Sequence, residues 1–291
     1  MPTRTGGYPI GFRRGWGQWQ KDTTALAAWA VQAGFEGIDL GRATAADVAV
    51  LRSHGLRLGS VDLVEFGQIV SADLRKRTDV VAQNVAYVKE ATALGVRAFF
   101  TCVFAPDPAN RGEGYKLAVE AYGLIAEAAA AGGARVAIEP YPGGWPNYAA
   151  LFCTPETCRA VLRDLPCGIG LNYDPSHLIR LGVDHVRFLR EFAPHVAHVH
   201  AKDTELLPEA AYEYGLYQGA AFAKGHGFGE HVWRYTIPGH GQARWTEIMT
   251  VLAESGYEGM VSVELEDENF NGTEEGEKAG LTHSLAFLRG I

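Results

Sequence analysis

The 291-residue chain has only four cysteines, and none of them forms a CxxC pair. They are Cys102, Cys153, Cys158 and Cys167. This spacing is not typical of a structural zinc site. Because MPTRTGGYPIGF contains no apolar segment of signal-peptide length, we expect reduced thiols rather than disulfides. No run of about 18 apolar residues occurs, so no membrane span is expected. These absences favour a cytoplasmic protein.

Basic residues are the minority among the charged ones. Lys and Arg number 26 against 34 Asp and Glu, which gives a formal net charge of -8. Nucleic-acid binding needs a basic surface, so this balance argues against it. It suits an enzyme that acts on small molecules.

A glycine-rich phosphate loop is also lacking. The stretch GFRRGWGQW follows the first apolar segment and does not match the GxGxxG spacing of dinucleotide-binding folds. An open, doubly wound sheet is therefore the second choice of fold. The absence of an obvious phosphate cradle favours a non-phosphorylated substrate.

Short apolar segments alternate with helical patterns along the whole chain. Helical spacing ending at glycine marks 23–34, 74–95 and 115–133, and Thr154-Pro155 is typical of a helix start. The strand-like segments are 8–12, 35–40, 57–63, 96–103, 135–141, 167–174, 196–203 and 259–266. Eight such alternations predict an α/β protein, one (β/α)₈ TIM-barrel domain over residues 1–291.

Ligand-type side chains stand near the ends of the last four predicted barrel strands. They are Glu139 in AIEPY, Asp174 in NYDPSHL, His200 in HVHAKD and Glu264 in SVELED. Active sites of this barrel lie at the carboxyl ends of its strands, where alternate side chains point inward. We therefore expect these four side chains to converge.

Three carboxylates so close together repel one another unless a positive charge lies among them. One divalent cation per chain would satisfy all four side chains. Oxygen-rich sites of this kind favour Mn²⁺ or Mg²⁺, and Co²⁺ or Zn²⁺ would also fit. Mn²⁺ is our prediction.

The segment HVHAKD carries two further polar residues on the inward face. We expect His198 to be a core histidine or to support a ligand. Lys202 has two interpretations that remain open: it binds a substrate hydroxyl or carboxylate, or it pairs with Asp203, Glu266 or Asp267. Glu266 also competes with Glu264 for the ligand position.

Several loop residues are weaker candidates. Trp16 and Trp145 follow the first and fifth strands, where their rings would pack on a sugar; ordinary packing explains each equally well, as it does for Trp233. Glu65 is interpreted as a solvated acid, and we interpret His226, His231 and His240 as surface histidines rather than a second metal site. The long segment 204–241 is interpreted as a lid over the substrate or a subunit contact.

The sequence resembles the sugar phosphate isomerase/epimerase family, whose xylose isomerase-like barrels include ketose 3-epimerases, inosose dehydratase and hydroxypyruvate isomerase. The similarity extends over nearly the whole chain. It is strongest in GIGLNYDPSHL, HVHAKDTELL, WRYTIPGHG and GYEGMVSVELEDENFNGTEEG.

This resemblance implies that Glu139, Asp174, His200 and Glu264 hold one divalent metal, and that both glutamates are catalytic. They would move a proton at a carbon next to a carbonyl, through a metal-bound enediolate. His177 in DPSH and Arg234 in WRY match the family's substrate contacts. The expected partner is a small sugar or polyol, and we expect a homo-oligomer, a dimer or tetramer.

Other functions use the same barrel. A lyase, either a dehydratase or an enzyme that cleaves an oxidised glycoside with a partner subunit, would need the same ligands. An abasic-site DNA endonuclease would need three zinc ions and a basic surface, which the charge opposes. A non-catalytic barrel would not need a complete ligand set.

Overall fold

The structure is a computed structural model that describes residues 7–144 and 150–291. Trp145, a predicted substrate contact, lies outside these residues. The strands, in chain order, are β1 Ile10–Arg13, β2 Gly37–Leu40, β3 Arg57–Asp62, β4 Ala98–Thr101, β5 Val103–Phe104, β6 Arg135–Ile138, β7 Ala150–Leu151, β8 Ile169–Tyr173, β9 Val196–Ala201, β10 Asp203–Leu206, β11 Trp233–Thr236 and β12 Val261–Val263.

Eight of these strands close into a parallel barrel in the order β1-β12-β9-β8-β6-β4-β3-β2. Each lies within one of the eight apolar segments of the sequence or, for β1, extends one residue past it. The (β/α)₈ prediction is therefore confirmed. The four remaining strands form two antiparallel pairs, β5 with β7 and β10 with β11.

The helices fill the intervals between the barrel strands. They are α1 Thr23–Ala33, α2 Ala45–Ser53, α3 Leu74–Ala93, α4 Arg111–Ala131, α5 Pro155–Asp164, α6 Pro175–Arg180, α7 His185–Phe192, α8 Pro208–Tyr214, α9 Trp245–Glu254 and α10 Glu274–Arg289. Side chains cap several of them, as when Asp22 and Asp73 accept backbone N–H groups of α1 and α3. No helix in the described ranges is long and apolar enough to cross a membrane.

Helix α4 begins at Arg111, four residues before its predicted start. Gly112 and Gly114 in the first turn hid this start, because glycine is unfavourable inside helices. Gly114 is needed here: a Cβ would lie 2.9 Å from the Cβ of Ala105. Close backbone packing therefore outweighs helix propensity in this turn.

Contacts divide the chain into two compact units. One extends to Gly37 and continues over Asp174–Pro194 and His200–Ile291, and the other comprises Ile38–Tyr173 and His195–Val199. The first contains the β10–β11 hairpin, in which Glu205 lies opposite Arg234. The second contains the packed pair of long helices α3 and α4.

The segment 204–241 is more ordered than a loop. It completes the hairpin of β10 and β11 and includes the short helix α8 at Pro208–Tyr214. Its role as a lid, like the assignment of a single domain, stays a prediction.

Candidate metal and catalytic site

Four side chains from consecutive strand ends meet at one place. One ligand atom from each of Glu139, Asp174, His200 and Glu264 lies within 4.8 Å of the others. Glu139, Asp174 and Glu264 directly follow β6, β8 and β12, and His200 lies in β9. Because parallel strands end at the same rim of a barrel, the ends of these strands bring the side chains together. The four side chains therefore converge, as the sequence predicted.

The carboxylate of Glu139 is buried and held by neighbours on the barrel sheet. Its Oε2 atom accepts a hydrogen bond from Nδ2 of Asn172 at 2.5 Å, and the thiol of Cys102 lies 3.9 Å from Oε1. Glu139 is only 3 % exposed to solvent. Asn172 therefore fixes the orientation of this carboxylate.

Two cations and an imidazole surround the carboxylate of Glu264. Nζ of Lys202 lies 2.5 Å from its Oε2 atom, Nε of Arg13 lies 3.3 Å from Oε1, and Nδ1 of His200 lies 3.5 Å from Oε2. Burial by itself raises the pKa of Glu264, but the charge of Lys202 and the contacts with His200 and Arg13 outweigh it. The pKa is held well below its ordinary value, so Glu264 is ionised.

Lys202 is one of the most deeply buried charged residues of the chain, at 1 % exposure. Its ammonium also lies 2.9 Å from Glu266 and 3.4 Å from Asp174. Burial lowers the pKa of Lys202, but the three carboxylates outweigh burial and hold the pKa well above its usual range. Lys202 therefore carries its proton and links two proposed ligands to Glu266.

The formal charge of this cluster fits a divalent cation. Four carboxylates and two cations leave a charge of -2, with the histidine neutral. The carboxylates are Glu139, Asp174, Glu264 and Glu266, and the cations are Lys202 and Arg13. Three oxygen donors and one imidazole also form the mixed set that Mn²⁺ and related ions accept. The residues present therefore fit such an ion.

The ion-pair interpretation of Lys202 identified only one of its partners. Glu266 is a partner, as that interpretation allowed, but Asp203 lies elsewhere in the hairpin network. Its carboxylate accepts hydrogen bonds from the backbone of Gly239 and Ala243 and from the indole of Trp245. Asp203 therefore anchors the segment that follows the hairpin.

His177 is buried beside a proposed ligand. Its Nε2 atom lies 3.5 Å from Oδ2 of Asp174, and its Nδ1 atom lies 2.7 Å from the hydroxyl of Tyr235. Burial raises the pKa of Tyr235 well above its ordinary value, so the phenol keeps its proton. His177 thus connects Asp174 to the β10–β11 hairpin, and its substrate contact stays a prediction.

Cations stack on the aromatic rings of the same hairpin. Nζ of Lys202 lies 4.5 Å from the ring centre of Tyr235, and the guanidinium of Arg180 lies 4.5 Å from that of Trp233. These contacts favour the protonated amine. Trp233 is buried, so its role is the ordinary packing that the sequence allowed.

Arg234 lies on the opposite face of strand β11. Its Nε atom is 2.7 Å from Glu205 across the hairpin, and Nη1 is 3.5 Å from Glu268. Its predicted contact with substrate would have to form alongside these ion pairs or replace them.

Trp16 is 78 % exposed, in the loop after β1. It lines a cavity of about 60 Å³ together with Arg13, Glu264 and Glu266. The ring is thus near the ionised cluster, as its place after the first strand predicted. Its contact with a sugar stays a prediction.

His198 lies next to Asp39 rather than next to a proposed ligand carboxylate. Its Nε2 atom is 2.9 Å from Oδ2 of Asp39, whose other oxygen accepts the backbone N–H of Ser60. Asp39, His198 and His200 form a second group of clustered ligand atoms. This arrangement agrees with the interpretation of His198 as a buried supporting residue.

The remaining polar candidates lie in local contacts. His226 pairs with Glu268 at 2.6 Å, and the ring of His231 bonds the carbonyl of Ala223. Glu65 pairs with Lys76 at 2.6 Å and is about half exposed. Within the described ranges, no ligand cluster includes His226, His231 or His240.

Sequence reasoning missed three residues of the site: Arg13, Asn172 and Tyr235. Arg13 ends β1, so the rule that strand ends carry functional groups would have found it. Asn172 lies two residues before Asp174, so counting alternate residues along the strand places both side chains on the inward face. Tyr235 gave no signal, because it reaches the site through the pairing of β10 with β11 across a long intervening segment.

Comparisons with known proteins agree with this architecture. A family model described as a xylose isomerase-like TIM barrel matches residues 27–291. The crystal structure of 3-keto-D-glucoside 4-epimerase, YcjR, from E. coli superposes with a TM-score of 0.71 at 15 % identity, covering 98 % of this chain and all of that one. D-psicose 3-epimerase from Clostridium cellulolyticum gives 0.68 at 16 % identity, covering 97 % and 99 %. At these identities the likeness shows the fold.

Curated relatives are similar over shorter stretches. The uncharacterised protein YfiH of Bacillus subtilis is 32 % identical over 146 residues, which cover 50 % of this chain and 44 % of that protein. An inosose dehydratase of Clostridium botulinum is 32 % identical over 98 residues, 34 % of this chain and 30 % of that protein. The chain thus spans less than half the length of each of these two relatives.

Proposed function

Because the chain belongs to the xylose isomerase-like TIM barrel family, we propose that it is a divalent-metal-dependent isomerase or epimerase of a sugar or keto sugar. One observation carries the proposal: ligand atoms of Glu139, Asp174, His200 and Glu264 lie within 4.8 Å of one another. Solved epimerases of this fold add support, although they share little sequence with it.

Glu139, Asp174, His200 and Glu264 would hold the ion, for which Mn²⁺ is the preferred candidate. When bound, a divalent cation supplies Lewis-acid stabilisation of the negative charge that develops on substrate oxygens. The chain itself supplies the groups that move protons and position the substrate.

Glu264 is ionised, and the ionised carboxylate is the form that can accept a proton from a carbon next to a carbonyl. Lys202 and Arg13 fix its two oxygens, and Asn172 fixes the carboxylate of Glu139. Two glutamates held in this way would act from opposite sides of the substrate. Return of the proton to the opposite face gives an epimer, and return to the neighbouring carbon gives an isomer.

The proposed substrate contacts are His177, Arg234, Lys202, Trp16 and Trp145. Lys202 already neutralises Glu264 and Glu266, so a substrate oxygen would share its ammonium with these carboxylates. Trp16 has the exposure that a stacking platform for a sugar ring requires. The substrate is proposed to be non-phosphorylated.

A lyase is the second candidate. Segments of the chain resemble proteins named inosose dehydratase, and the same glutamates could remove a proton before a neighbouring group leaves. Cleavage of an oxidised glycoside, with or without a partner subunit, belongs to this class.

Product analysis separates the two candidates. Purified protein would be stripped with EDTA, reloaded with Mn²⁺ or Mg²⁺, and incubated with ketoses, 3-keto sugars and inososes. An isomerase or epimerase gives a product of unchanged mass with a new NMR spectrum, whereas a dehydratase gives a product lacking one water. Full turnover by metal-free protein would contradict the metal dependence.

A further inference from the structure

Two helices on the outside of the barrel carry an exposed apolar groove. Helices α3 and α4, with 20 and 21 residues, are the longest helices in the described part of the chain. Together they line a groove of about 750 Å³. Leu74 is 65 % exposed and Leu124 is 54 % exposed within it. Exposed leucines on two adjacent helices that line one groove are unusual for a surface in contact with water.

The apolar face follows helical spacing along α3. Leu74 lies two helical turns before Val81, and Val85 follows one turn later, so together with the neighbouring alanines Ala82 and Ala86 they form one stripe. Leu124 and Ala128 continue the apolar surface on α4. The groove therefore offers two parallel ridges rather than isolated residues.

Charges of opposite sign border the two sides of the groove. Arg77 and Lys89 lie on the α3 side, and Glu120 and Glu127 lie on the α4 side. In the described part of the chain Arg77 bonds the carbonyl of Ser71, and no ion pair joins these basic groups to these acidic ones. One edge is thus basic and the other acidic.

We propose that this groove is the docking surface for a second copy of the chain. Both helices follow parallel barrel strands, so they run in the same direction. A two-fold axis along the groove places α3 of each copy against α4 of the other, so that basic edges meet acidic ones. A two-fold axis across the groove would instead place α3 on α3 and bring like charges together. The charge pattern therefore selects the first arrangement, and the groove is complementary to itself.

The register of the helices identifies the decisive contact. Lys89 and Glu127 each lie four residues before the end of their helix, at Ala93 and Ala131. At equal height on parallel helices, Lys89 of one copy faces Glu127 of the other, twice in each dimer. The apolar ridges between these pairs would supply the buried centre of the interface.

Charge reversal tests this arrangement. Sedimentation velocity over a concentration series would measure the dimer dissociation constant of the full chain, alone and as Lys89→Glu, Glu127→Lys and the double variant. Each single reversal should raise the dissociation constant by about tenfold or more, because it creates two like-charge contacts. The double variant should return to within about threefold of the wild-type value, because the reversed edges are again complementary.

A matched control lies on the same helix. Glu90 is exposed next to Lys89 but does not line the groove, so Glu90→Lys should leave the dissociation constant unchanged. Circular dichroism would verify that every variant is folded. A wild-type chain that stays monomeric at about 100 μM would overturn the proposal, because this concentration is far above the dissociation constant of a specific homodimer. So would a dimer that Leu124→Glu leaves intact, or a double variant as weak as the single ones. These outcomes do not depend on the proposed catalytic function.

Discussion

The ammonium of Lys202 lies 2.5 Å from Oε2 of Glu264, and both groups are ionised. Convergent carboxylates were the reason to expect a metal from the sequence, yet the protein also brings its own cation to them. The remaining formal charge of -2 is what a divalent ion would neutralise. Under the proposed function, Lys202 and the ion would together balance the carboxylates.

Removal of the Lys202 charge should destabilise the protein. Lys202→Met leaves three carboxylates near one another without their shared ammonium, and loss of one partner from a buried pair costs about 3–5 kcal/mol. Urea denaturation of the metal-free protein would measure the free energy of unfolding. The control is Lys116→Met, whose exposed pair with Glu113 should be worth less than about 1 kcal/mol. Equal effects of the two changes would contradict the role assigned to Lys202.

His200→Ala should lower the metal content of purified protein strongly, because it removes the nitrogen donor of the cluster. Metal analysis of protein reloaded with Mn²⁺ would give the stoichiometry, which we expect to be about one ion per chain before the change. His240→Ala, which alters an exposed histidine, serves as control. A full complement of metal in His200→Ala would exclude His200 as a main ligand.

Glu139→Gln and Glu264→Gln should reduce turnover far more than they reduce thermal stability. Each change removes a group that carries protons, and such groups contribute about 10²–10⁴-fold to rate. Initial rates with saturating metal, compared with the melting temperature of each variant, would test this. Near-wild-type turnover by either variant would show that a pair of glutamates does not carry the proton.

Acid should weaken the protein partly through His185. Burial, and then the charge of Arg244, lowers the pKa of His185 from 6.5 to about 4, while its Nε2 atom accepts the backbone N–H of Arg244. A depressed pKa in the folded state means that the unfolded chain takes up the proton first as the pH falls. The contribution to stability is therefore complete above pH 6.5 and is lost progressively toward pH 4.

This loss should amount to about 2 kcal/mol between pH 7 and pH 5. His185→Gln keeps a hydrogen-bond acceptor that does not titrate, so its free energy of unfolding should fall less over the same interval. His240→Gln, at an exposed site, should follow the wild-type curve. Identical pH dependence of all three proteins would contradict the assignment.

Sequence patterns predicted the barrel because each strand and helix is marked by residues that are neighbours in the sequence. Each strand is a short apolar segment, and the inward side chain at its end is found by counting alternate residues. This is why Glu139 and Asp174 were identified together with the fold. The start of α4 was wrong because Gly114 is selected by close packing on Ala105, which no local propensity shows.

Contacts that depend on distant pairing were not predictable. The short strand β10 has the polar sequence DTEL, and its partner β11 begins 27 residues later. Only their pairing brings Tyr235 to His177 and places Arg234 opposite Glu205. The ion pairs of Lys202 likewise depend on where Glu264 and Glu266 lie in the fold, and its contact with substrate stays a prediction.

Solvent proton exchange tests the proposed chemistry most directly. In D₂O, the Mn²⁺-loaded enzyme should place deuterium at the substrate carbon next to the carbonyl, because a glutamate can exchange its proton with solvent before returning it. NMR with a panel of ketoses and 3-keto sugars would detect this even without net product. EDTA should abolish the exchange, and Glu139→Gln or Glu264→Gln should reduce it strongly. Product that forms without any solvent deuterium would instead indicate a hydride shift, and it would contradict proton transfer by Glu139 and Glu264.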